Sequence, residues 1–194
     1  MKCHRLLSYF GVSALMVAPF AVAQQGHDDT AGAASIKTGD ETASQTSPAV
    51  QGYSAAQAAL QKRTKVPLRL PTFIPPYGDA DNLVFATVES ADAQGYDVEI
   101  AFAEDCHGAN VCHLGEIQGS TKLFPREGRK VPVALHKGLT GYFIDSTCGA
   151  SCNDSEILWR EGDYHYSIGM KAEEEATLVK IVNSAIDSGP GGSQ

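Results

Sequence analysis

The sequence predicts an α+β fold: a single domain with an antiparallel sheet of about six to seven strands, a C-terminal helix packed on one face and a short N-terminal helix. From Leu83 onward apolar and polar residues alternate with a period of two, the mark of half-buried strands. Near the end of the chain the period changes. Leu178, Ile181, Val182, Ala185 and Ile186 fall at i, i+3, i+4, i+7 and i+8 and form one apolar stripe. Strands in succession followed by a helix give a sheet with helix on one side.

Ser54 is placed as the N-cap of a short helix through Arg63, rich in alanine. Pro67 and Pro71 bracket an extended piece, Val66 to Leu70, and Phe73 to Gly78 is a turn-rich crossing. Leu83 to Glu89 is the first clear strand. After a turn at Asp92 to Gly95, Tyr96, Val98, Ile100 and Phe102 give the cleanest alternation in the chain. Leu114 to Gly119 is a weaker strand. Val131, Val133 and Leu135 alternate, His136-Lys137-Gly138 turns, and Leu139 to Ser146 runs back. Ile157 to Arg160 and Tyr164 to Ile168 flank Gly162-Asp163, a two-residue hairpin signal. The final helix is expected from about Glu173 to Ile186, with Glu173, Glu174 and Glu175 in its first turn, where carboxylates complement the helix dipole.

Residues 1–23 read as a secretory signal peptide: Lys2 and Arg5, then an apolar run from Leu6 to Phe20, then Ala21-Val22-Ala23 as the cleavage site. Cys3 precedes the apolar run and is not placed for lipid attachment. The expected location is periplasmic or extracellular. Residues 24–52 hold no aromatic residue and no periodic apolar face, so they read as a disordered linker. The globular domain is placed at 53–187 and a disordered tail at 188–194. Removing residues 1–23 takes away Lys2 and Arg5 and no carboxylate, so the formal net charge moves from −8 to −10. An acidic chain with no basic cluster beyond Lys62, Arg63 and Lys65 argues against nucleic acid and against an anionic membrane surface.

Export changes how Cys106, Cys112, Cys148 and Cys152 are read, from metal or redox chemistry toward disulfides. If consecutive strands alternate in direction, the Cys106/Cys112 loop lies at one end of the sheet and the Cys148/Cys152 loop at the other. Strands of this length span roughly 17–25 Å, and a disulfide needs Cα atoms within about 7 Å. The pairs are then local, Cys106–Cys112 and Cys148–Cys152. The rival reading is a metal site from Cys106-His107, Cys112-His113 and His136, which that same topology puts at one end. Its spacing fits no standard zinc motif, so no metal and no cofactor is expected.

Catalytic alternatives are weaker. Ser146, Asp145, His136 and His165 make a triad only on paper, without a Gly-x-Ser-x-Gly elbow. Glu104, Asp105, Asp154 and Glu156 serve a glycosidase only across a cleft. Trp159, Tyr164 and Tyr166 fit a sheet-stabilising aromatic cluster better than a ligand groove.

The segments Val66-Pro67-Leu68-Arg69-Leu70-Pro71, Cys106-His107-Gly108-Ala109-Asn110-Val111-Cys112 with Gly115 and Gly119, Gly141-Tyr142-Phe143, Cys148-Gly149-Ala150-Ser151-Cys152 with Ile157-Leu158-Trp159, and Asn183-Ser184-Ala185-Ile186 carry a resemblance. Over roughly residues 66–186 the chain resembles a family of uncharacterised secreted bacterial domains with two short cysteine loops. The resemblance implies envelope location and fold, and no catalytic residue. The expected function is a non-enzymatic binding domain with an envelope protein or small ligand as partner. The alternative is a small hydrolase of envelope polymers. The expected binding loop is residues 105–113, through His107, Asn110 and His113, with His136 as neighbour.

Overall fold

The computed structural model describes residues 50–77 and 83–189. The expected signal peptide, the linker up to residue 49 and the tail from residue 190 lie outside the described residues. Those described form one eight-stranded mixed sheet and two α-helices. The elements are β1 (Val50–Gln51), α1 (Tyr53–Arg63), β2 (Val84–Asp92), β3 (Gly95–Ala101), β4 (His113–Ser120), β5 (Lys130–Ala134), β6 (Thr140–Ile144), β7 (Asp154–Glu161), β8 (Tyr164–Lys171) and α2 (Glu175–Asp187). A 3₁₀ turn at His136–Gly138 joins β5 to β6. The α+β class and the C-terminal helix are as expected. The strand number and the purely antiparallel sheet are corrected, because β1 pairs in parallel with the start of β2, Val50 opposite Val84. A strand of two residues has no period to read, and it lies inside the stretch expected to be linker.

The sheet order is β1-β2-β3-β4-β8-β7-β6-β5. The chain therefore does not simply meander. β4 runs away from the end where β3 finishes, here the near end. Residues 121–129 then cross back over one face, and β5 starts again at the near end, on the far edge. β6, β7 and β8 return by hairpins until β8 pairs with β4, Ile117 opposite Ile168. Two connections carry the turn chemistry that hairpins demand. Asp92 Oδ1 accepts the N–H groups of Gln94 and Gly95 at 2.7 and 3.0 Å. Gly162 supplies the left-handed residue of the β7–β8 turn with φ +58°.

The two faces differ. On the core face Tyr96, Val98 and Ile100 stand beside Ile117, then Tyr166, Ile168 and Met170, then Ile157 and Trp159, all buried. α2 lays Leu178, Ile181, Val182, Ala185 and Ile186 on this face, fully buried. Its helical turns begin at Glu175. Glu173 lies before them and accepts the Tyr77 hydroxyl at 2.6 Å. The proline-bounded segment Val66 to Ile74 also covers the core, and side chains satisfy backbone groups that a ladder would otherwise pair. Tyr96 Oη accepts the Arg69 N–H at 3.0 Å, and Pro67 O accepts the Tyr166 hydroxyl at 3.0 Å. Arg69 forks onto Glu161 at 2.9 and 2.6 Å, and Glu161 also accepts Trp159 Nε1–H at 3.0 Å. Trp159 stacks on Tyr166 with centroids 5.2 Å apart. Trp159 and Tyr166 thus belong to the core, as their hairpin positions suggested.

Candidate functional site

Both cysteine pairs are disulfides closing local loops, with Cα separations of 5.8 Å for Cys106–Cys112 and 4.0 Å for Cys148–Cys152. Disulfides of this kind belong to oxidising compartments outside the cytoplasm. No helix among the described residues is long and apolar enough to cross a membrane. The local pairing holds, but the topology behind it does not. Because residues 121–129 return to the near end, β6 finishes there and β7 starts there. The two stapled loops therefore share one end of the sheet instead of lying at opposite ends.

Side chains and backbone tie this end together. The first loop turns through His107 and Gly108, both left-handed at φ 45° and 74°. The Gly108 N–H donates to Glu99 Oε1 at 2.8 Å. His113, the first residue of β4, sits between two carboxylates, with Nδ1 at 3.3 Å from Glu99 Oε1 and Nε2 at 3.1 Å from Asp154 Oδ2. Both ring nitrogens meet carboxylate oxygens, an arrangement that favours the imidazolium. The hydrogen bond to Asp154, reinforced by the Glu99 carboxylate, outweighs burial and raises its pKa to about 9. Asp154 opens β7, directly after the second stapled loop. Lys171, at the end of β8, donates to the carbonyl of Asn110 in the first. In the second loop, Asn153 Oδ1 accepts the Thr147 N–H.

Behind this end lies the second face of the sheet, where Asp97, Glu99, Glu116, Asp154 and Glu156 point away from the core. Arg126, on the crossing segment, donates to Glu156 at 2.9 Å and to Gln118 at 2.8 Å, and Gln118 donates to Asp97 and Glu116 at 3.0 and 3.2 Å. Burial raises the carboxyl pKa of both Asp97 and Glu116 above the ordinary range, with neighbouring carboxylates adding to it. Asp97 Oδ1 is buried without a hydrogen-bond partner among the described residues.

The expected site residues do not all converge. His107 and Asn110 are exposed on the first loop. His107 Nδ1 lies 3.6 Å from Glu89 Oε1. His113 has a side chain only 15% exposed and holds the loop from beneath. His136 is corrected outright. It turns between β5 and β6 at the far end, where its ring meets Asp187 at 2.7 Å and its N–H meets Asn183 at 2.7 Å. The paper triad fails for the same reason, since Asp145 and Ser146 follow β6 at the near end. Glu99 and Lys171 are the residues that sequence reasoning missed, and Asp154, weighed there only as a glycosidase carboxylate, is the partner of His113. Their only sequence signal is a place on the polar side of alternating strands, which many solvated residues share.

No protein-family model matches the chain. No curated protein matches it. No solved structure matches it.

Proposed function

We propose that this chain is an exported envelope protein, periplasmic or extracellular, whose domain works by binding and not by catalysis. The observation that carries the reading is the pairing of two disulfide-closed loops at one end of the sheet. Staples on such short loops add little through chain entropy. Their value is a surface held in its binding shape before the partner arrives. His107, Asn110 and Val111 present side chains from that surface, and Val111 is 92% exposed, an apolar group left in water. The partner is an envelope protein or small ligand, and the acidic chain argues against nucleic acid.

The test uses the mature domain as bait in the envelope fraction, with each captured partner re-measured as a purified pair. A variant carrying His107→Ala, Asn110→Ala and Val111→Ser should keep its melting temperature and lose at least about tenfold in affinity. Undiminished affinity would remove the loop from the site.

The alternative, a small hydrolase of envelope polymers, rests on Asp97. A carboxyl with raised pKa beside a hollow fits a general acid. That hollow, of about 270 Å³, is lined by Asp97, Ser90, Gln94, Gln118 and Lys122. Release of soluble fragments from envelope polymers, abolished by Asp97→Asn, would establish that alternative.

A further inference from the structure

The crossing segment 121–129 leaves a recess of about 350 Å³ on the second face of the sheet, apart from the exposed tips of the stapled loops. Leu123 and Phe124 form one wall, and Tyr142 and Leu158 form the floor. Leu123 and Tyr142 are 70% and 47% exposed, two of the five large apolar side chains that the described residues leave in water. The rim has the opposite charge to the chain. Lys130 and Arg160 line the recess beside His165, and among the described residues no carboxylate does, although the chain carries a formal net charge of −8. Arg160 is partly engaged, donating to Gly162 O at 2.6 Å with Asp163 at 3.7 Å. Lys130 is exposed at the start of the edge strand β5.

We propose that this recess binds a single-chain anionic amphiphile, with the apolar chain between Phe124 and Leu158 and the acid head at Lys130. Its volume lies at the small end of the range for ligand pockets, about 300–1,000 Å³, which suits one medium-length chain and not a two-chain lipid. The head is a carboxylate or a phosphate, since Lys130 meets either as a point charge. The overall field of an acidic chain attracts cations. Preference for an anion therefore reports the local rim.

The experiment is calorimetric titration of the domain with decanoate, decyl phosphate and decyltrimethylammonium, below their micellar concentrations, with amide chemical shifts mapping the site. Decanoate or decyl phosphate should bind saturably, at least about tenfold tighter than the cation, with shifts at Leu123, Phe124 and Leu158. The tighter of the two anions identifies the head. Lys130→Glu should remove the preference, and Leu123→Ser, at an exposed site, should weaken both anions. The His107→Ala, Asn110→Ala, Val111→Ser variant should bind them unchanged, which separates this site from the stapled loops. Equal affinity for anion and cation, no saturable binding, or shifts elsewhere would overturn the proposal. So would a concentration-dependent dimer through this face that excludes decanoate.

Discussion

His113 shows how far one side chain can be misread from its neighbours in sequence. It follows a cysteine in a loop and reads as a hydrogen-bonding contact residue. In the fold it begins β4, and Glu99 and Asp154 close on it from 14 and 41 positions away. Nothing local in the sequence announces partners at that distance. Its titration gives a signed prediction. The folded pKa of about 9 exceeds the ordinary value of 6.5. The stability that His113 contributes is therefore complete below about pH 6.5 and is lost as pH rises through about 9. The melting temperature should fall over that interval, and His113→Asn should flatten the fall. Parallel pH profiles for the two proteins would mean that His113 is not held as an imidazolium. Glu116 carries the opposite lesson. Burial raises its pKa, so the folded state holds that proton more tightly than the unfolded chain, and stability falls as pH rises through that window. Glu116→Gln should raise the melting temperature at pH 7 and lose the advantage below about pH 4.5, the ordinary carboxyl value. A lower melting temperature at pH 7 would show that the charged carboxylate is the stabilising form.

The most strongly periodic elements were the most legible. β3 was plain because Tyr96, Val98 and Ile100 alternate with Asp97 and Glu99, and the same alternation separates the two faces. α2 was plain because its stripe is complete. Ile181, wholly buried, should cost about 2–5 kcal/mol as alanine by chemical denaturation. A change under about 0.5 kcal/mol would place the helix off the sheet. β4 was faint for a structural reason. Gly115 and Gly119 occupy core-facing positions because their neighbours fill the space. A Cβ on Gly119 would lie 2.3 Å from the Tyr96 ring, and one on Gly115 would lie 2.6 Å from Met170 Sδ. Gly119→Ala should therefore destabilise by about 1–3 kcal/mol, since Tyr96 is buried and holds the Arg69 N–H. An unchanged denaturation midpoint would mean that Tyr96 has room to move. β1 was illegible because two residues carry no period.

Strand order is the part of the fold that hydrophobic patterning does not encode. A period of two says which face a residue occupies, and it is silent on which strand lies alongside. Simple alternation of strands is the shortest assumption, and it fails at one connection, residues 121–129. That single crossing sets β8 against β4 and moves β5 to the edge. It also brings both disulfide loops to one end and sends His136 to the other. The exposed place of His107 and Asn110 on a stapled loop was legible, while the end that this loop shares with the second was not. The local disulfide pairing is right although its premise fails, because it rests on loops at opposite ends of the sheet and both loops lie at one end. Nuclear Overhauser contacts on the folded domain separate the two topologies most directly. The structure predicts contacts between Ile117 and Ile168 across β4 and β8, from the His113 ring to Asp154, and from Asn110 to Lys171. Their absence, with contacts from the Cys106–Cys112 loop to His136 in their place, would restore the simple meander and contradict the shared end on which the binding proposal rests.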